Sequence, residues 1–234
     1  MATAATTTKL PKQILVLENP DKVNNEKWYP GRSWADPPHP FRWILAGPPN
    51  SGKSNVIMNV MLRSGESKQP FQRLVLIHGA GPHSKEYDSL IIEHRLDEIP
   101  KPEFFMELQE QEPLKSVVIL DDVDLHDLNK ESKQNLSALF RFVSSHFGWS
   151  IFCSFQTFTD IDMVARKCSN LFTIWKPRSR HEIPILGNRL GVTGNKLEEA
   201  MTTFLPNRWD NLTFDFTVDT PAPIRKNLFE EIVI

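Results

Sequence analysis

"FRWILAGPPNSGKSNVIMNV", Phe41 to Val60, runs from an apolar segment through a loop of glycine and proline into a stretch with helical spacing. Trp43 to Ala46 predicts a buried strand and Asn55 to Leu62 a helix. The loop between them fits G-x-x-x-x-G-K-[ST] at every fixed position, with Gly47, Gly52, Lys53 and Ser54. Strand, glycine loop and helix is an order in which backbone can wrap a phosphate. Gly47 and Gly52 allow angles closed to other residues, so successive N–H groups turn inward toward anionic oxygens. The helix N-terminus adds a partial positive charge. Lys53 would then meet the β- and γ-phosphates of a bound nucleotide, while the Ser54 hydroxyl would ligate Mg²⁺. The candidate cradle is Gly47, Pro48, Pro49, Asn50 and Ser51, followed by Gly52, Lys53, Ser54 and Asn55. The competing reading is an ordinary strand-to-helix turn with a solvated lysine.

With 234 residues, 40% of them hydrophobic and 24% charged, the chain is long enough to bury one good core. A formal charge of −2 excludes a uniformly basic nucleic-acid binder and still permits a local basic channel. Cys153 and Cys168 lie far from any metal-ligand spacing and read as core thiols of a reducing compartment. No apolar run approaches a membrane span and the N-terminus lacks a signal-peptide core, which points to an intracellular protein. Residues 1–40 read as an N-terminal arm: a polar start, a short strand at "ILVLE" (Ile14 to Glu18), and a proline-rich segment with three large aromatics that packs across a surface. Residues 41–234 form the domain that carries the loop, and there is no internal repeat.

Further along come "RLVLIHG" (Arg73 to Gly79), "SVVILDDV" (Ser116 to Val123), "WSIFCSFQ" (Trp149 to Gln156) and "NLFTIWK" (Asn170 to Lys176). Each is a short β-branched or aromatic run, with helix-compatible segments between most of them, so the expected fold is α/β with a mostly parallel sheet flanked by helices. "LTFDFTVD" (Leu212 to Asp219) alternates more cleanly and predicts an edge or hairpin strand. The run ending in Asp121 and Asp122 supplies what a phosphate loop needs: Asp121 at the strand tip to hold Mg²⁺, and Asp122 to act as base or orient an attacking water. Two acids there also suit the N-cap of a following helix. Gln156 stands at the carboxyl edge of a central strand, where α/β sheets place ligands; it is either a sensor of the γ-phosphate or water, or a polar strand terminator.

With the loop, the acidic pair and Gln156 in this order, the chain resembles the FtsK–HerA branch of P-loop ATPases. It looks most like the genome-packaging ATPases of poxviruses, other large DNA viruses, virophages, Polinton-type elements and membrane-containing phages. "RLVLIHGAGPHSKEYDSL", "SSHFGWSIFCSFQTFTDIDMVARKCSNLFTIWK" and "IRKNLFEEI" extend the likeness to the C-terminus. The resemblance implies a RecA-like core with the Gln156 strand between those of the loop and of Asp121. It also implies an ATPase that translocates double-stranded DNA, a homo-oligomeric ring of five or six subunits, partners at a capsid vertex or membrane, and a location in the host cytoplasm, a viral factory or the virion. Relatives commonly place an Arg-His pair before the glutamine strand, the arginine serving a neighbouring subunit as a finger. Here His146 follows Ser145, so Arg141, one turn earlier, is the first substitute and Arg166 the second. Lys85, Lys176, Arg178 and Arg180 are candidate phosphate contacts for DNA, with Tyr87 the main aromatic in those loops. Two other readings stay open. "GPPNSGKS" also resembles the loop of superfamily 3 replicative helicases, although the expected Asn is Gln156 here, and a nucleotide-binding assembly protein needs no hydrolysis.

Overall fold

Val117, Val118, Ile119 and Leu120 are all fully buried, so their strand is covered on both faces. That burial explains a continuous apolar run in place of an alternating one. The computed structural model describes residues 37–63, 71–79, 85–124, 127–159, 161–217 and 224–234; the arm and the "ILVLE" strand expected before residue 37 lie outside them. The described elements are β1 (Arg42–Ala46), α1 (Lys53–Arg63), β2 (Arg73–His78), β3 (His94–Leu96), α2 (Pro102–Gln111), β4 (Ser116–Asp121), α3 (Lys130–Ala138), α4 (Ser144–Phe147), β5 (Trp149–Phe155), α5 (Met163–Cys168), β6 (Leu171–Trp175), α6 (Glu182–Leu190), α7 (Gly194–Phe204), β7 (Asn211–Asp215), β8 (Ile224–Lys226) and β9 (Glu230–Ile232). A π-helical turn, Leu139–Val143, joins α3 to α4.

The strands form one sheet in the order β3-β2-β4-β5-β1-β6-β7-β8-β9. The first six are parallel and the last three run antiparallel beyond β6. This is the α/β architecture of a RecA-like P-loop NTPase core, and β5 lies between β1 and β4 as expected. Side chains alternate between faces along each strand. Trp43, Leu45, Val117 and Ile119 pack toward α1 through Ile57, Val60 and Met61. Ile44, Ala46, Val118 and Leu120 face the opposite core, which receives Phe105, Leu136, Phe140, Ala165, Leu186 and Leu197 from the other helices.

Strand β7 is a hairpin strand, as one of its two expected placements had it, pairing antiparallel with the next strand β8, but it is not an edge. It is an interior strand, paired with β6 on one side and β8 on the other, and all five of its residues are buried. The alternation there separates apolar from hydrogen-bonded positions. The Thr213 and Thr173 hydroxyls lie 2.7 Å apart, and the Trp43 indole N–H donates to Thr173 Oγ1 at 2.9 Å, so these two threonines are satisfied inside the sheet. Cys153 is buried as expected, whereas Cys168 is only half-buried; both are free thiols. Among the described residues, no helix is long and apolar enough to cross a membrane.

Candidate functional site

The registers Ala46↔Phe155 and His78↔Asp121 align the carboxyl ends of the central strands, so Gly47, Gln156, Asp122 and Gly79 leave the sheet together. The approach is close. A Cβ on Gly79 would lie 1.7 Å from the Asp122 carbonyl oxygen, and one on Gly47 would lie 2.9 Å from Ser51 Oγ and from Trp175. Gly47 is thus required for room and not for a forbidden backbone angle, which corrects half of the expectation for the two loop glycines. Gly52, at φ +99°, does need the freedom, and Asn50 takes φ 59° beside it.

Lys53 begins α1 and is 9% exposed. Its Nζ donates to the carbonyls of Gly47 at 2.8 Å and Pro48 at 3.2 Å, which holds the ammonium under the loop. Burial lowers its pKa, opposed by Asp121, then Asp122 and Glu86. Among the described residues, the buried Ser51 hydroxyl finds no hydrogen-bond partner. A phosphate oxygen or water entering the loop would satisfy it, so the cradle fits an anionic ligand beyond its sequence pattern.

Opposite the loop, Asp121 is 1% exposed and accepts three hydroxyl hydrogen bonds. Ser54 donates at 2.8 Å and Tyr87 at 2.5 Å to Oδ2, and Ser154 donates to Oδ1. Burial, followed by the charge of Asp121, pushes the Tyr87 phenol far above its ordinary pKa and keeps it a donor. The Ser54 hydroxyl beside a carboxylate is a pair of hard oxygen ligands suited to Mg²⁺. His78, Glu86 and Asp121 also bring one ligand atom each within 4.8 Å of one another.

Asp122 turns away from the strand at φ 54°, and its backbone N–H donates to Ser154 Oγ at 3.2 Å. The exposed Gln156 amide donates to Asp122 Oδ1 at 3.4 Å. The acids do not cap the next helix, since α3 is capped by Asn129, whose side chain accepts from Ser132 N at 2.8 Å. One cleft of about 390 Å³ is lined by Pro49 to Asn55, Glu86, Asp121, Asp122, Gln156 and Trp209. That volume is in the range of ~300–1,000 Å³ usual for small-molecule sites.

The other expected residues are scattered. Arg141 is exposed on the π-helical turn, bordering an open groove with Lys130, Lys133 and Phe142. Arg166 is half-buried, with its guanidinium 5.8 Å from the Phe158 ring centroid. Lys85 and Lys176 are exposed, Arg178 lines a second cavity with Gly47, Pro48 and Gln156, and Arg180 pairs with Glu198 at 3.5 Å on the surface. Tyr87 offers no surface to DNA, because it is fully buried against Asp121. Glu86, Ser154 and Trp209 were missed as neighbours of the site. Ser154 alone carried a signal, a small polar residue two positions before Gln156, interrupting the apolar run of Ile151, Phe152 and Cys153 in its strand.

No family model matches the chain, and no curated protein sequence matches it significantly. Solved structures do. The genome packaging NTPase B204 from Sulfolobus turreted icosahedral virus 2 in complex with ATP-gammaS is 16% identical, with a TM-score of 0.54 over 79% of this chain and 94% of that one. The DNA-packaging ATPase B204 from Sulfolobus turreted icosahedral virus is 16% identical, with a TM-score of 0.57 over 79% and 95%. The monomer form of the pCW3 conjugation coupling protein TcpA with ATPgS is 14% identical, with a TM-score of 0.52 over 79% of this chain and 59% of that one. At these identities the likeness is one of fold.

Proposed function

We propose that the chain is an ATP-hydrolysing motor of the FtsK–HerA type that translocates double-stranded DNA into a viral capsid, with residues 41–234 as its ATPase domain. The observation that carries this reading is the convergence of Lys53, Ser54, Asp121, Asp122 and Gln156 on one cleft. The fold-level likeness to the genome packaging NTPase B204 supports the choice of substrate.

In this reading Lys53 exchanges its loop carbonyls for the β- and γ-phosphate oxygens, where its charge offsets theirs. Ser54 and Asp121 would hold Mg²⁺, which neutralises charge on those oxygens when bound. Tyr87 and Ser154 hold the Asp121 carboxylate in place through their hydroxyl hydrogen bonds to its two oxygens. Asp122 is less enclosed and takes the water-orienting role. Gln156, in contact with Asp122, senses the same water or the γ-phosphate.

The reaction needs an arginine at the far side of the phosphate, and the exposed Arg141 of a neighbouring subunit is its source in a ring of five or six. Lys176, Arg178 and Arg180 supply phosphate contacts to DNA. The test is ATP hydrolysis measured with and without duplex DNA, alongside the particle mass at working concentration. Expected are a ring mass, stimulation by duplex at least equal to that by single strands, and a salt dependence that flattens when Arg178 and Arg180 are neutralised together. Strong single-strand preference with separation of a forked duplex would promote the helicase. Absence of hydrolysis in an ATP-bound ring would leave an assembly protein.

A further inference from the structure

The cleft has a polar end and one large aromatic side chain. Lys53, Ser54, Asp121, Asp122 and Gln156 make the polar end, and Trp209 is the aromatic side chain on its border. Its indole is 63% exposed, a large apolar surface left in water. Trp209 nevertheless sits in a firmly braced turn, residues 205–210, between α7 and β7. The Trp175 indole N–H donates to the Trp209 carbonyl at 3.1 Å. The next residue, Asp210, accepts from Asn207 N at 2.9 Å, Asn207 Nδ2 at 3.0 Å and Asn227 Nδ2 at 2.9 Å.

The turn is also tied to the phosphate loop itself. Arg208 donates to the Asn50 carbonyl at 2.8 Å, and its guanidinium lies over the indole, 5.5 Å from the ring centroid. At Gly52 the nearest atom to an added Cβ would be Trp209 Cδ1, at 3.9 Å. An exposed ring held on a rigid support has already lost the conformational entropy that binding would otherwise remove.

We infer that Trp209 is the platform on which the base of the bound nucleoside triphosphate stacks, with Arg208 fixing the indole against the phosphate loop. This rests on the nucleotide-binding reading of the cleft and adds the subsite for the ligand's other end. A triphosphate ester of a nucleoside has an anionic tail for the polar end and a flat aromatic ring for the indole. Stacking uses the π-face that every base has, so the platform contributes affinity more than discrimination among bases.

The test compares the magnesium-saturated full chain with Trp209→Ala and Trp209→Phe, both of which keep the backbone carbonyl that Trp175 binds. Calorimetric titrations use ATP and inorganic tripolyphosphate. Trp209→Ala should bind ATP roughly tenfold or more weakly. Trp209→Phe should retain most of the affinity, and all three proteins should bind tripolyphosphate alike. ATP should also quench an indole fluorescence component that tripolyphosphate leaves intact and that Trp209→Phe lacks. Unchanged ATP affinity in Trp209→Ala, or a loss shared equally by tripolyphosphate, overturns the platform and leaves the phosphate site standing. Failure of the unmodified chain to bind either ligand removes the nucleotide reading and the platform with it.

Discussion

The cleft at Lys53 and the helical face at Arg141 are both lined by polar side chains, yet one is closed by its own chain and the other is not. In the cleft, Asp121 is 1% exposed with three hydroxyl donors, and Lys53 is 9% exposed with two carbonyl acceptors. On the helical face, Arg141 is exposed, and Phe142 beside it leaves 41% of its surface in water. The backbone around Arg141 is also irregular: Ser144 N–H reaches the Leu139 carbonyl five residues back, the π-helical spacing often found at functional sites. In the proposed reading, this contrast between a finished pocket and an unfinished surface means that the groups binding nucleotide are supplied internally, while the last group for turnover is left for a second copy.

The difference can be attacked from either side, and the largest effect is expected at the open face. Arg141→Ala should keep ATP affinity within about twofold and lose turnover by on the order of 10³, as for arginines supplied in trans to phosphoryl transfer. Subunits carrying Lys53→Ala still offer their own arginine, so mixing the two variants should restore part of the rate. Steady-state hydrolysis and nucleotide titration check both points, and full turnover in Arg141→Ala would show that the face completes nothing.

Inside the cleft the expected losses are smaller and divided by role. Asp122→Asn should bind ATP normally and lose turnover by on the order of a hundredfold, whereas Lys53→Ala should weaken binding and hydrolysis together. Equal, intact hydrolysis in both would dissolve the assignment of the cleft.

The smallest effect belongs to the closure itself. Tyr87→Phe removes one of three hydrogen bonds to a buried carboxylate, a change of about 1.5–3 kcal/mol. For a chain of this size that lowers Tm by roughly 3–12 °C, readable by thermal melting. An unchanged Tm would mean that Asp121 is held well enough by the two serines.

What was legible in the sequence were features that a few adjacent residues determine. The loop from Gly47 to Ser54, the apolar runs of β1, β2, β4, β5 and β6, and the carboxylates at the tip of β4 each announce themselves within a short window. What was not legible depends on partners distant along the chain. Tyr87 stands among His, Ser, Lys, Glu and Asp residues that spell a solvated loop, and only the folded turn drops its ring beneath Asp121. The alternation of Leu212 to Asp215 suits an edge or a hairpin strand; the hairpin forms, but the edge is excluded only by β6, whose Thr173 answers Thr213 inside the sheet. Arg208 meets Asn50 across 158 positions, so the turn carrying Trp209 gives no local sign of lying beside the phosphate loop. The π-helical turn is equally silent, since its residues also suit an ordinary helix.

The left-handed backbone at Asp122 narrows which residues evolution or an engineer can place there. At φ 54° most side chains crowd their own carbonyl, at about 1–2 kcal/mol, while Gly, Asn and Asp are tolerated. Of these three only Asp carries a charge. Glutamate, the usual conservative replacement for a carboxylate, therefore meets resistance from the main chain before its reach or acidity is tested. Position 122 is a place where the substitution that looks mildest on paper is harsher to the backbone than the isosteric amide, and where, on the proposed role of Asp122, drift away from aspartate leads first to an inert copy that still folds.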